Sequence, residues 1–500
     1  MLCGLVGLLF VIGFAALAQT PCEQLRSVQL AGTTITVTES INAGPMGNPG
    51  TPRAAAAPSL PSYCRVAATL TPSPDSDIQM EIWLPAGVAW NGKLQAIGGG
   101  GWVGAIGYSG MAAALREGYA TASTDTGHKG SGASFAVGHP EKVVDFSHRA
   151  VHEMTVKSKA IITAYYGRGP RLSYWTGCST GGRQGLIAAQ RYPEDFDGII
   201  AGAPASNYTR LCAWRLALEA AVVKDPAKVV PPAKATLLNN AVLAACDALD
   251  GIKDGLLTDP RNCHFDLSTL LCRGGAGDNC LTALQLEAVR MAYAPATKKT
   301  GEMIYPGLVP GGEAGWAALA AVEPNALNVD MFRYVAHEDP HWDWRTFDLE
   351  RDTALVDQKA GYMNAMDPDL SAFKKRGGKL LIYHGWNDGA SGGAISPLNS
   401  VNYYSSVLAK MGPNQEDWLR LFMVPGMAHC GGGPGPNQFN ALAALERWRE
   451  SGAPPEQIVA AHVTNNRIDM TRPLCPYPRV AVYNGVGSVN DAGNFACKAP

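Results

Sequence analysis

Three residues that together could open an acyl bond stand in an informative order along this chain. Gly177-Cys178-Ser179-Thr180-Gly181 fits the pattern G-x-S-x-G, with an apolar run over 172–176 before it and a helix-like run over 183–190 after it. Between a strand and a helix, the flanking glycines permit a sharp, strained turn that lifts a serine hydroxyl clear of the sheet. Outside that setting the motif is weak, since small residues meet by chance in glycine-rich loops, and a tight turn without chemistry is the alternative. A serine hydroxyl is a poor nucleophile until a base removes its proton. In a strand-turn-helix setting its partners are expected in the order serine, acid, histidine, each after a later strand. Asp388 lies just beyond the run 379–383, and His429 just beyond the run 419–424. So placed, Asp388 fixes the tautomer of the imidazole and stabilises the imidazolium, while His429 accepts and returns the proton.

The negative charge that develops during such a reaction needs donors. The N–H of Thr180 follows the serine, and Gly98-Gly99-Gly100-Gly101 follows the run 93–97. Gly100 or Gly101 is the favoured second donor, each donor being worth on the order of 3 kcal/mol. Four consecutive glycines are conformationally costly, which argues for a purpose. Other histidines make weaker cases. His384 precedes its loop and reads as a structural residue at a strand end. His152-Glu153 resembles half of a zinc-protease helix, but Val156 stands where the second histidine is required. His128, His139 and His148 read as solvent or capping groups. A separate cluster, Asp247-Ala248-Leu249-Asp250-Gly251-Ile252-Lys253-Asp254-Gly255-Leu256, sets carboxylates close together among turn-forming glycines, which suits a hard cation. Its spacing is not that of an EF-hand, and an exposed acidic turn without metal is the competing reading.

These residues need a scaffold. Short apolar runs at 93–97, 119–123, 172–176, 198–201, 379–383 and 419–424 alternate with amphipathic stretches, the pattern of a mainly parallel α/β sheet flanked by helices. Three of the runs end at residues able to do chemistry, and open α/β sheets bind ligands outside the carboxyl ends of their strands. The pattern breaks over 206–366, a stretch rich in Cys, Asp and Gly that carries Trp214, Trp316, Trp342 and Trp344 and reads as an inserted lid. No internal repeat is evident, and 53–58 is the one low-complexity tract.

At 500 residues, 46% hydrophobic and 17% charged, the chain can bury a large core, which excludes a disordered protein or a disulfide-only miniprotein. Lys plus Arg (41) balance Asp plus Glu (43) to a net charge of -2 with no basic stripe, so nucleic acid and anionic membranes are poor partners. The apolar opening 2–17, closed by Ala16-Leu17-Ala18, reads as a signal peptide over 1–18, with an N-terminal membrane anchor as the alternative. Of 12 cysteines, Cys3 falls inside that segment, and no CxxC pair occurs. The spacings Cys22/Cys64, Cys246/Cys263, Cys272/Cys280 and Cys475/Cys497 look like local staples, although spacing leaves the connectivity open. An oxidising, secreted or periplasmic setting fits this usage.

With Cys178-Ser179, Asp388 and His429-Cys430 in place, the chain resembles the tannase and fungal-type feruloyl esterase family, whose CS-D-HC pattern sets a cysteine beside both nucleophile and base. The resemblance implies an α/β-hydrolase core over 19–205 and 367–500, with 206–366 as a lid carrying a calcium loop. It implies a Cys178–Cys430 disulfide, which by closing a loop of about 250 residues could contribute roughly 5 kcal/mol. It also implies Cys22–Cys64, Cys246–Cys263, Cys272–Cys280 and Cys475–Cys497 bridges, leaving Cys212 unpaired. A structural Ca2+ would be held by the side chains of Asp247, Asp250 and Asp254 and the carbonyls of Ile252 and Leu256, with no organic cofactor. The activity implied is that of a secreted serine carboxylesterase acting on small esters of aromatic acids through an acyl-enzyme. A mono(hydroxyethyl) terephthalate hydrolase-like activity, an acyltransferase and a non-catalytic, calcium-stabilised binding protein are the alternatives. The lid aromatics suit a flat acyl group or form the lid's own core. Arg333 and Arg345 are the lid arginines among them, neither assigned to the pocket. The stretch 388–395 is longer and richer in glycine than the family's.

Overall fold

The computed structural model describes residues 19–46, 59–275, 277–389 and 394–499; the expected signal peptide at 1–18, the tract at 53–58 and part of the glycine-rich stretch after Asp388 lie outside the described residues. Nine strands form the central sheet: β1 (Thr33–Ile41), β2 (Tyr63–Leu70), β3 (Ile78–Pro85), β4 (Lys93–Ile97), β5 (Ala120–Thr124), β6 (Leu172–Cys178), β7 (Gly198–Gly202), β8 (Lys379–Gly385) and β9 (Leu419–Val424). Their order is β1-β2-β3-β5-β4-β6-β7-β8-β9. Pairing is antiparallel from β1 to β5 and parallel from β5 to β9.

The six runs expected as strands are β4 to β9. A parallel sheet covered on both faces buries every residue, so its strands read as unbroken apolar runs. In β9, Leu419, Leu421 and Met423 enter one core while Phe422 and Val424 enter the core on the opposite face. The first core lies under α2 (Ala150–Tyr166), α3 (Thr180–Arg191) and α8 (Pro397–Met411), and the second under α1 (Tyr108–Arg116) and α9 (Ala441–Ser451). Strands β6 and β8 run two residues further than their apolar runs, because Gly177 and Cys178 still pair with Ala201 and Gly202, and His384 and Gly385 with Met423 and Val424. The antiparallel strands were hidden by charge. Glu81 sits within β3, 4% exposed, because Arg65 of β2, the Trp83 indole N–H and the Tyr108 hydroxyl all reach its carboxylate.

Between β7 and β8 the chain builds α4 (Tyr208–Lys224), α5 (Pro232–Cys246), α6 (Ala283–Tyr293) and α7 (Leu349–Ala360), joined by short helical turns and a two-stranded piece, Ala296–Thr297 with Met303–Tyr305. Trp214, Trp316, Trp342 and Trp344 are all buried in this segment's hydrophobic cluster, which runs on into Trp102 and Phe146 of the sheet domain. Past α9, the hairpins β10 (Ile458–Thr464) with β11 (Arg467–Leu474) and β12 (Val480–Tyr483) with β13 (Phe495–Lys498) complete the chain. Among the described residues five disulfides form, Cys22–Cys64, Cys178–Cys430, Cys246–Cys263, Cys272–Cys280 and Cys475–Cys497, and Cys212 is free and buried. No helix among the described residues is long and apolar enough to cross a membrane.

Candidate active site

Ser179 sits at the turn between β6 and α3 with φ 62° and ψ −121°, a backbone conformation that costs free energy unless its surroundings enforce it. They do so by close packing. A Cβ on Gly177 would come within 2.5 Å of the Gly181 carbonyl, and one on Gly182 would strike the Gly202 carbonyl. The Ser179 N–H donates to the Gly202 carbonyl at 2.9 Å, and the Ala205 N–H donates to the Ser179 carbonyl at 3.1 Å. The serine is left half-buried at the carboxyl end of the sheet.

Asp388 is 1% exposed and fully partnered. Its Oδ2 accepts from His429 Nδ1 at 2.7 Å and from His384 Nε2 at 3.0 Å, and its Oδ1 accepts the Ile395 N–H at 3.1 Å. Burial works against the charge, but the His429 imidazole and the hydrogen bonds from both histidines outweigh it and hold the carboxyl below its ordinary value. With Nδ1 committed to Asp388, the Nε2 of His429 is the nitrogen left to accept a proton. His384 does lie buried at a strand end, as expected, yet it is also a second donor to Asp388, held in turn by the Ser400 hydroxyl 2.7 Å from its Nδ1. Strand position alone gave no sign of that contact; the four-residue step from His384 to Asp388 was the available signal. The Cys178–Cys430 bond, with Cα atoms 6.0 Å apart, joins the residue before Ser179 to the residue after His429.

The glycine run divides by hydrogen bonding. The Gly98 N–H is taken by the Thr176 carbonyl at 2.9 Å and the Gly99 N–H by Gln184 Oε1 at 3.1 Å, whereas those of Gly100 and Gly101 meet no acceptor among the described residues. Gly101 adopts φ 51°, its carbonyl accepts from the Thr180 hydroxyl at 3.0 Å, and a Cβ on it would lie 3.3 Å from Leu327. Thr180 opens α3, where the first N–H groups of a helix have no partner within it. Gly100, Gly101 and Thr180 therefore carry the free donors beside Ser179.

The inserted segment meets these loops through Trp316, named above, and through Trp102, Leu327, Asn387 and Gly311, which the sequence did not single out. The Trp102 indole donates to the Leu327 carbonyl at 3.0 Å, Asn387 Nδ2 donates to the Gly311 carbonyl at 2.7 Å, and a Cβ on Gly389 would come within 2.5 Å of Trp316 Nε1. Arg345 is exposed and stacks on Trp344, and Arg333 reaches the Trp342 carbonyl at 3.4 Å. The remaining histidines serve elsewhere. His152 pairs with Asp195 and His139 with Asp75. His128 and His148 differ from expectation in being partnered within the protein, His128 against the Trp102 carbonyl and His148 against the Tyr192 hydroxyl, with burial and nearby arginines pushing His148 down to about 4.

In the acidic turn, Asp247 accepts from the Asp254 and Gly255 N–H groups, Asp250 from the Ile252 N–H and the Thr258 hydroxyl, and Asp254 from the Leu256 N–H and Arg472. Among the described residues no three acidic, histidine or cysteine side chains stand together as ready ligands. Burial, with Asp250 and Asp247 adding to it against the pull of Arg472, pushes the Asp254 carboxyl up, and carboxylate oxygens of this kind are the donors a hard cation takes.

The family model described as tannase and feruloyl esterase matches residues 64–498. The chain belongs to the tannase and feruloyl esterase family. An uncharacterized esterase of Xanthomonas campestris pv. campestris is 37% identical, over 96% of this chain and 92% of its own. A probable feruloyl esterase B of Aspergillus clavatus is 35% identical, over 98% of both chains. The crystal structure of feruloyl esterase B from Aspergillus oryzae superposes with a TM-score of 0.87 at 30% identity, covering 95% of this chain and all of that one. This tannase-family protein is a carboxylic ester hydrolase with an α/β-hydrolase core.

Proposed function

We propose that this protein is a secreted serine esterase that hydrolyses esters of aromatic acids through an acyl-enzyme. The observation that carries the reading is the 2.7 Å contact between buried Asp388 and His429 Nδ1, with His429 chained through Cys430–Cys178 to the strained turn at Ser179. In the first step His429 Nε2 takes the hydroxyl proton while Ser179 Oγ bonds to the ester carbonyl carbon, and the oxyanion is met by the N–H of Thr180 and that of Gly100 or Gly101. His429 then gives the proton to the departing alcohol as the C–O bond breaks. Water, deprotonated by the same imidazole, releases the acid and restores Ser179. Five disulfides and the names of the relatives support export and aromatic acyl groups.

Ca2+ has a structural place in the same reading. The carboxylates of Asp247, Asp250 and Asp254 and the carbonyls of Ile252 and Leu256 would hold it, and when bound it supplies charge neutralisation to the turn.

The test is hydrolysis of methyl ferulate, methyl gallate, mono(hydroxyethyl) terephthalate and a short aliphatic ester by the wild type and Ser179→Ala. Turnover of an aromatic ester is expected to fall by about 10^4 or more with the substitution. Activity on the aliphatic ester alone would remove the aromatic acyl group from the proposal, and activity surviving Ser179→Ala would remove the mechanism.

A further inference from the structure

One side of α4 is polar where a buried helix is expected to be apolar. Tyr208, Cys212, Arg215 and Glu219 recur at steps of four, three and four residues, share a face, and are each at most 3% exposed. Glu219 is occupied: its Oε2 accepts from the Asn325 N–H at 2.9 Å and from Asn328 Nδ2 at 3.0 Å. It stands 3.6 Å from Arg215, too far for a hydrogen bond, and the Arg215 Nε–H is buried with no partner.

The neighbours of Arg215 share its condition. The hydroxyls of Tyr208 and Tyr305 and the indole N–H of Trp214 are also buried without partners. Such groups are nearly always paired in folded proteins, because a buried donor or acceptor left without a partner has lost its hydrogen bonds to water and gained none. Tyr208 and Tyr305 both lie within electrostatic reach of Arg215, so three of these groups share one place and mark a site. Tyr305 stacks on Trp214 with ring centroids 5.4 Å apart and lies within electrostatic reach of both Arg215 and Asp388. Tyr208 lies beside Thr180. Asn328, which holds Glu219, adjoins Leu327, which touches Gly101. Arg215 is thus bracketed by the free donors beside Ser179 on one side and by the acid loop on the other.

The chemistry of these atoms selects a ligand. The arginine and indole groups can only donate, and the two phenols can donate, so what enters between them must bring acceptor oxygens. We propose that Arg215 is a specificity-determining residue that receives an oxygen, phenolic or carboxylate, carried by the acyl group at the end remote from the scissile carbonyl. A guanidinium presents a planar fork of donors suited to such oxygens. This inference rests on the esterase reading above for the position of the scissile bond.

The test compares methyl cinnamate, methyl 4-hydroxycinnamate and monomethyl terephthalate as substrates of the wild type, Arg215→Met, Arg215→Lys and Tyr305→Phe. Arg215→Met is expected to lose at least about tenfold in kcat/KM on one or both oxygen-bearing esters, the worth of a hydrogen bond to a charged group, and little on methyl cinnamate. The ester that suffers tells phenol from carboxylate. Arg215→Lys should recover part of the loss, and Tyr305→Phe should show a smaller loss of the same selectivity in a side chain of nearly unchanged shape. An equal loss on all three esters, or none, overturns the proposal. Calorimetric binding of free 4-hydroxycinnamate, terephthalate and cinnamate to Ser179→Ala, with and without Arg215→Met, separates this inference from the catalytic one. A preference for the oxygen-bearing acids that vanishes with Arg215 supports it whatever the turnover, and the absence of that preference overturns it.

Discussion

Asp388 shows how much the roles of single residues depend on their partners. Its Oδ2 serves two histidines, His429 in the loop after β9 and His384 sealed at the end of β8. A buried carboxylate with one donor could rotate; with His384, His429 and the Ile395 N–H it has a single orientation. Replacing His384 by alanine should therefore lower kcat by about ten- to a hundredfold with KM nearly unchanged, the worth of one hydrogen bond to a charged group. The variant should also be more sensitive to acid. Because the Asp388 carboxyl is held below its ordinary value, it contributes stability that is present above that value and lost as pH falls through the folded one. Removing a donor moves that loss to higher pH, and urea titrations of both proteins at several acidic pH values would show it. Coinciding stability profiles would leave His384 with packing alone.

Among the elements, β4 to β9 were legible because both faces are buried and their apolar runs are unbroken, and Ser179, Asp388 and His429 were legible because each follows such a run. The antiparallel edge was not, since the Glu81–Arg65 pair interrupts the apolar pattern and is rational only once β2 and β3 lie side by side. Nor could α4 disclose its polar face, because Tyr208, Arg215 and Glu219 read as ordinary surface residues until the helix is seen buried. The bond joining the ends of the β6 and β9 loops has a measurable weight. Cys178→Ser with Cys430→Ser is expected to cost up to roughly 5 kcal/mol in urea unfolding, the figure for closing so long a loop. A fall in kcat below the unfolding range would show that the bond also positions His429; an unchanged kcat would confine it to stability.

For the whole molecule, the acidic turn joins the inserted segment to the C-terminal hairpin through Asp254 and Arg472, which meet at 2.6 Å. Occupation of that turn by Ca2+ should stabilise both parts together. At a hundredfold excess over Kd the gain is about 2.7 kcal/mol. Scanning calorimetry against free Ca2+ should show Tm rising in the wild type and flat in Asp250→Asn; a wild-type Tm indifferent to Ca2+ and to chelator would remove the metal. The Cys178–Cys430 bond spans 252 residues and encloses the entire inserted segment. The chain is thus a covalent ring with two tails. A protease cut at the exposed Val322-Glu323 step would leave the molecule in one piece, because none of the other four disulfides bridges that step and this one does. Nicking would go unseen on a gel run without thiol, and the two fragments would part only on reduction.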